Sequence, residues 1–294
     1  MKKLFLRLLI LGISVASCSS DDDSNSVNSN LTINLSGLED LGAAHAYEGW
    51  ILVNGTPVST GTFTVDSNGN LSSTSFSVDS AMLEVATKFI LTVEPSPDPD
   101  PSPSSQKLIA GDFSGDSATI NTSVAPAVGD FSDSTGSFFL RTPTDEAGGL
   151  NNGNDENGVW FGVPGAPPVP DFTLPVLPEG WIYEGWVVVD GMGPLSTGTF
   201  NDFDTIDNFN GFSGMSPGPS LPGEDFFVNA PTGFTFPLDI RNRTVVISIE
   251  PVPDNSPNPF LLKPLVGTAG VDTAPVSYSF AYNADSFPTG SVTR

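Results

Sequence analysis

The sequence YEGWILVNG at residues 47–55 decides the fold, because it predicts one β-strand that runs directly into a tight turn. Its aromatic and β-branched residues favour extended backbone, and Asn54-Gly55 is a typical two-residue hairpin turn. The same pattern returns as YEGWVVVDG at residues 183–191, again with a Gly at the turn. A stretch repeated this closely predicts two copies of one β-rich unit.

Three further blocks recur in the same order. They are STGTF at 59–63 and 196–200, FILTVEP at 89–95 with VVISIEP at 245–251, and LIAG at 108–111 with PLVG at 264–267. Four blocks in one order indicate a duplicated unit. The second copy holds about twenty extra residues, mostly between Phe200 and Thr244.

The composition also favours strands. Gly and Pro number 30 and 27 of 294 residues, which disfavours long helices. We predict an all-β fold of two tandem antiparallel β-sandwich (Ig-like) domains, each built from one copy of the blocks. The first domain is placed at 31–125 and the second, with its insertion, at 130–294. A break near 123–135 fits the small, polar residues there.

Few segments depart from strand and turn. Residues 79–87 predict a short helix, with Asp79 or Ser80 as its N-cap. Two Pro-rich stretches, 96–105 and 252–259, follow each Glu-Pro of the repeat. Because Pro cannot donate to a sheet, both are predicted to be exposed loops between strands.

The first residues indicate a targeting segment. A basic start and a short apolar run end in VASC at 15–18, which resembles the lipobox of bacterial lipoproteins. We therefore predict a signal peptide at 1–17 and acylation, for example with palmitate, of Cys18. Residues 18–30 would be a flexible acidic tether. An ordinary secretory peptide is the alternative.

The residues after Cys18 indicate where the protein goes. The acidic run SSDDD at 19–23 resembles the surface-export signal of lipoproteins in the Bacteroidetes group. We predict an outer-membrane protein that is lipid-anchored and exposed at the cell surface. A solvated start to the tether is the alternative.

The charge excludes several classes of partner. The net charge is −24, and no basic cluster follows the first seven residues, so nucleic-acid binding is excluded. An anionic membrane surface would repel the protein for the same reason. One His and one Cys are too few for a Cys/His zinc site or an internal disulfide.

The repeated motifs resemble a known domain. YEGW at 47–50, VNG at 53–55, PVSTGTF at 57–63 and FILTVEP at 89–95 look like the C-terminal extracytoplasmic domain of the anti-sigma-K factor family, RskA. The resemblance covers about 75 residues in each copy and implies a β-rich fold outside the membrane. The family's transmembrane helix finds no counterpart after Cys18, so sigma binding is not carried over.

Four glutamates recur between the copies: Glu48 with Glu184, and Glu94 with Glu250. Paired carboxylates can hydrolyse glycosides when they lie about 5–10 Å apart. The alternative is that each Glu accepts hydrogen bonds at a strand end and holds the fold. The second interpretation is favoured because both copies keep the residues.

Aromatic residues and the single His have similar alternatives. Trp50 and Trp186 are predicted to fill equivalent cores, although an exposed Trp could stack on a sugar. Trp160 lies in GVWF, which is also typical of a strand, and Trp181 occurs only in the second copy. His45 lacks a nucleophile motif and is predicted to be a solvated loop residue rather than a general base.

A Gly-rich loop at residues 145–158 concentrates oxygen ligands, as calcium requires. Its weak calcium candidates are Asp145, Asn154, Asp155 and Glu156, although the spacing does not match an EF-hand and a solvated loop is the alternative. No catalytic residue and no other cofactor is predicted.

The sequence thus predicts a non-enzymatic envelope module that binds an unknown envelope protein or a glycan. The alternatives are a sensing accessory of an anti-sigma system and a glycan-binding or glycan-active protein.

Overall fold

Four antiparallel β-sheets hold nearly all regular structure in the computed structural model, which describes residues 27–254 and 256–294. Within those residues there is one α-helix, α1 (Ser80–Val85), and four single-turn 3₁₀ helices at Pro143–Asp145, Ala147–Gly149, Asp155–Asn157 and Ala284–Ser286. The strands are β1 (Asn28–Ser36), β2 (His45–Val53), β3 (Thr56–Phe63), β4 (Ser75–Asp79), β5 (Lys88–Pro95), β6 (Lys107–Asp112), β7 (Ser117–Ile120), β8 (Thr135–Leu140), β9 (Gly158–Phe161), β10 (Phe172–Thr173), β11 (Trp181–Val189), β12 (Gly193–Phe200), β13 (Gly223–Asp225), β14 (Thr244–Pro251), β15 (Leu265–Thr268), β16 (Ser277–Ser279), β17 (Ala281–Tyr282) and β18 (Thr289–Thr293). The predicted β-rich class is confirmed.

Two of the sheets contain the repeated blocks and share one strand order. The first runs β3-β2-β5-β6, and the second runs β12-β11-β14-β15 with β17 added at its edge. In both, the register shifts between the Gly and the Trp of YEGW, which places a β-bulge at the same point. Gly61 of STGTF faces this bulge with a φ of 126°, a conformation that side chains disfavour.

The other two sheets are also equivalent. The order β4-β1-β18-β7 in one corresponds to β13-β9-β8-β16 in the other. The short strand β10 pairs with β8 beside β9, so β9 and β10 together occupy the place of the longer β1. Both repeats therefore use the same eight-strand plan.

The two repeats exchange one strand. The third place in the sheet β4-β1-β18-β7 of the first repeat is filled by β18, which pairs with β1 and β7, although it follows the second repeat in the chain. The third place in the sheet β13-β9-β8-β16 of the second repeat is filled by β8, which follows the first repeat in the chain. Both strands begin Thr-Gly-Ser, at residues 135–137 and 289–291. Each repeat thus completes the sheet of the other.

This exchange bears on the predicted domain limits. The division at 31–125 and 130–294 assigns β18 to the second domain, whereas its hydrogen bonds lie in the sheet of the first repeat. Residues 28–30, predicted as tether, already belong to β1. The division into two independent domains, and the Ig-like form of each, stay predictions.

The segment between the repeats is packed rather than exposed. Val128 and Phe131, within the predicted break near 123–135, are 1% and 2% exposed and belong to one apolar core that includes side chains of both repeats. The ring of Phe131 stacks on that of Phe287, with 5.4 Å between centroids. The small, polar composition of this segment therefore does not keep Val128 and Phe131 exposed, and the predicted break near 123–135 stays a prediction.

Most local predictions are confirmed. Asp79 caps α1 by accepting hydrogen bonds from the backbone N–H groups of Ala81 and Met82. Asn54-Gly55 forms the hairpin between β2 and β3, with positive φ at both residues. The corresponding hairpin in the second repeat differs, because residues 190–192 form a three-residue turn.

Candidate functional site

A cleft of about 820 Å³ lies between the two repeats, where the Pro-rich loops after β5 and β14 face each other. Contacts across the chain hold its walls together. The Gln106 amide donates a hydrogen bond of 2.5 Å to the carbonyl of Val252, and the Leu261 N–H donates one of 3.2 Å to the Glu39 carboxylate. Described residues of both predicted loops, 96–105 and 252–259, therefore contribute to a concave site.

The cleft is strongly acidic. Its lining includes five prolines and, within the described residues, no lysine or arginine. The seven carboxylates that line it are Glu39, Asp40, Glu94, Asp98, Asp100, Glu250 and Asp254. Such a concentration of negative charge in a concave surface attracts cations.

Behind the cleft, each repeat carries the same chain of hydrogen bonds. The indole N–H of Trp50 donates to the Thr92 hydroxyl at 2.9 Å, and that hydroxyl donates to Glu94. In the second repeat the corresponding chain runs from Trp186 through Ser248, at 2.7 Å, to Glu250. The predicted role of Glu94 and Glu250 as acceptors at strand ends is seen in both repeats.

Glu48 and Glu184, the first glutamates of the repeat, accept hydrogen bonds from Ser59 and Ser196. Burial raises the pKa of Glu48, and it raises the pKa of Glu184 to about 8. Nearby Glu250 adds to the shift at Glu184, and burial raises the pKa of Glu250 itself to about 7. One oxygen of Glu184, Oε2, is buried without any hydrogen-bond partner in the described structure.

Asp254 completes a cluster that the sequence analysis missed. Its carboxylate and those of Glu184 and Glu250 each place one oxygen so that the three lie within 4.8 Å of one another. A sequence signal exists, because EPSPD at 94–98 and EPVPD at 250–254 extend the repeat beyond the Glu-Pro pair. This signal alone does not show that Glu184 belongs to the cluster, because Glu184 lies 66 residues before Glu250 in the chain.

His45 is not a loop residue. It begins β2, half-buried, and lies on the rim of the cleft. The solvated-loop prediction is therefore wrong.

The tryptophans do not form a binding platform. Trp50 and Trp186 are each 2% exposed, as predicted for core residues, and Trp160 lies buried in β9. Trp181, which begins β11, is also buried. All four indoles thus belong to the interior.

The weak calcium candidates lie in a hydrogen-bonded loop. Asn154 donates to the Asp145 carboxylate at 2.7 Å, and Asn151 donates to Asp155 at 2.7 Å. Glu156 instead faces the Arg241 guanidinium at 4.0 Å. Within the described residues, Asp145, Asp155 and Glu156 are not brought together as a ligand set.

A second group of buried acids was not foreseen. Burial raises the pKa of Glu224 to about 8 and those of Asp207 and Asp225 to about 7. Donors hold them in place: Asp225 accepts from the Trp160 indole at 3.0 Å and from the Thr144 N–H at 2.8 Å. These contacts tie the large insertion to β9 and form a structural cluster.

The anchoring prediction concerns residues outside the described part of the chain, because Cys18 and the signal peptide precede residue 27. In the part that is described, no helix is both long and apolar enough to cross a membrane.

Comparison with known proteins finds a family match for the first repeat only. No curated protein and no solved structure matches the chain. Residues 23–107 match the family model described as anti-sigma-K factor rskA, C-terminal, a stretch that includes β1 to β5. The chain therefore carries, in its first repeat, a domain similar to the C-terminal domain of that anti-sigma factor.

Proposed function

We propose that the protein is a non-enzymatic binding module of the bacterial envelope that takes a positively charged ligand in the acidic cleft. It would be held at the outer membrane by acylated Cys18 and exposed at the cell surface. The match to an extracytoplasmic family domain supports a location outside the cytoplasm.

One observation carries this proposal: seven carboxylates converge on a concave surface that both repeats build. A cavity of this size suits a small molecule or a peptide segment. The cleft is lined by carboxylates, the Gln106 amide and five prolines. A basic peptide segment of an envelope protein is therefore the ligand that fits best.

The second repeat is assigned to the same domain type as the first. Its two sheets repeat the strand order of the first repeat, although the family match ends at residue 107. An Ig-like sandwich in each repeat is part of this assignment, in which the two sheets of a repeat pack face to face.

Glycan chemistry receives less support. A sugar-binding site normally presents an aromatic face, whereas all four tryptophans of the chain are buried. The repeated glutamates also have structural partners in each copy, which fits a role in holding the fold.

A second candidate function follows from the family match alone. The protein would be a sensing accessory of an anti-sigma system, because residues 23–107 are similar to a domain of such a factor. Deleting the gene and measuring sigma-dependent transcription would test this candidate, and unchanged transcription would contradict it.

A labelled oligolysine peptide tests the cleft, with binding followed by fluorescence anisotropy. The variant Asp98→Asn/Asp100→Asn removes two charges from the lining, and Asp202→Asn/Asp204→Asn removes two exposed charges that do not line the cleft. We expect the first variant to weaken binding about tenfold, which is about 1.4 kcal/mol. Equal weakening by both variants would show nonspecific attraction and overturn the proposal.

A further inference from the structure

We propose that Glu184, Glu250 and Asp254 form a binding site for a hard divalent cation, such as Ca²⁺ or Mn²⁺, in the wall of the cleft. Their three carboxylate oxygens lie within 4.8 Å of one another. Calcium holds its oxygen ligands at about 2.3–2.6 Å. Two oxygens on opposite sides of one ion are therefore about 5 Å apart, so an ion fits among oxygens that lie within 4.8 Å of one another. The all-oxygen set favours hard cations over zinc or copper.

An unpartnered oxygen is the independent observation. Glu184 is 5% exposed, and its Oε2 atom has no hydrogen-bond donor among the described residues. One carboxylate oxygen of Asp254 lies within 4.8 Å of one of Glu184, and Asp254 itself accepts a hydrogen bond from the Ser256 N–H at 2.8 Å. Because a buried acceptor without a partner is costly, a cation between the two groups would satisfy both.

The other ligand is already oriented for this role. Both oxygens of Glu250 accept hydrogen bonds from the Phe260 N–H, at 3.0 and 3.1 Å, and Ser248 also donates to this carboxylate. Ser248 is in turn held by the indole of Trp186. Supporting hydrogen bonds of this kind commonly orient metal ligands.

Within the described residues, no salt bridge is formed at the site, because none of the three carboxylates lies within 4.0 Å of a Lys or Arg nitrogen. The amine of Lys263, which attracts Glu250 from a greater distance, donates its hydrogen bond to the Phe260 carbonyl instead. Asp254 is half-buried at the cleft, so a cation could enter there and water could complete its ligands.

The first repeat supplies a natural control. Glu48, Glu94 and Asp98 stand at the corresponding positions, but they do not form a cluster of this kind, and Asp98 is exposed. The predicted cation site therefore belongs to the second repeat. Two of its residues, Glu250 and Asp254, also line the cleft, but the site does not require a ligand in the cleft.

The test is isothermal titration calorimetry of the full-length protein, stripped with EDTA and dialysed, against calcium chloride and manganese chloride separately. We expect one saturable site per chain. Because losing even a supporting residue costs about 10-fold or more in metal affinity, Glu184→Gln and Asp254→Asn should each weaken binding at least that much. Their counterparts Glu48→Gln and Asp98→Asn should leave the affinity within about twofold.

Three results would overturn the site: no saturable binding of either cation, unchanged affinity in both second-repeat variants, or equal weakening by all four variants. Thermal melts establish that each variant is folded. If Glu184→Gln fails to fold, Asp254→Asn, which changes a half-buried loop residue, decides the result. The oligolysine experiment changes Asp98 and Asp100, neither of which belongs to this cluster, so the two proposals can fail separately.

Discussion

Val292→Ala tests whether the last strand is an integral part of the first repeat. Val292 lies in β18, opposite Ile33 of β1 on one side and Ala118 of β7 on the other, and its side chain is 0% exposed. Removing two buried methyl groups costs about 0.8 kcal/mol each, and the cavity left behind adds to this cost. We expect a loss of about 2–3 kcal/mol, a large part of a typical stability of about 5–15 kcal/mol.

Thr293→Ala is the matched control, because the neighbouring side chain is exposed on the opposite face of the same strand. A surface change of this kind should cost about 0.5 kcal/mol or less. Urea titration of both variants measures the free energy of unfolding. Hydrogen exchange then locates the effect, since amides of β1 and β7 should lose protection in Val292→Ala.

The strand exchange would be refuted by equal stability of the two variants. It would also be refuted if Val292→Ala lowered protection only in the second repeat, because β18 would then belong to the sheets of its own copy.

Three other predictions have direct assays. Cys18→Ser should abolish labelling by a fatty-acid analogue, and persistent labelling would contradict anchoring through this residue. Trp50→Ala and Trp186→Ala should each cost about 3–5 kcal/mol in denaturant titrations, because both rings are buried; a loss below about 1 kcal/mol would contradict a core role. Burial raises the pKa of Glu184 from 4.5 to about 8, so the folded state keeps a proton that the unfolded chain has released. With EDTA present, the stability that this proton provides should be complete below pH 4.5 and disappear as the pH rises through about 8. In Glu184→Gln the free energy of unfolding should fall less over this pH range, and an unchanged dependence on pH would contradict the prediction.

The first hairpin and the strands of the repeated blocks could be predicted because their information is local. In YEGWILVNG, the strand preference and the turn lie within nine residues, and the pairing of β2 with β3 follows directly. The burial of Trp50 and Trp186 follows from the same pattern. The acceptor role of Glu94 likewise needs only its own strand, since Thr92 is two residues away.

The cation cluster could be predicted only in part. Glu184 and Glu250 are recognisable as repeated acids, but nothing near them in the chain shows that their side chains meet. They come together because β11 pairs with β14, which sets Ile182 opposite Glu250 and Glu184 opposite Ser248. Asp254 joins them through the course of the following loop.

The sequence by itself determined the strands of the repeated blocks, the Asn54-Gly55 hairpin turn and the duplication, because each depends on residues that are close together or on the comparison of one copy with the other. Only the tertiary structure decided that β8 and β18 change places. The two strands share just Thr-Gly-Ser at their start, and each suits the same position in either repeat. Strand preference is the same whether each strand joins the sheet of its own repeat or that of the other repeat. The exchange therefore depends on how the segment after β7 packs. Val128 and Phe131 of this segment are buried in the common core, and the chain after them enters the sheet of the second repeat as β8.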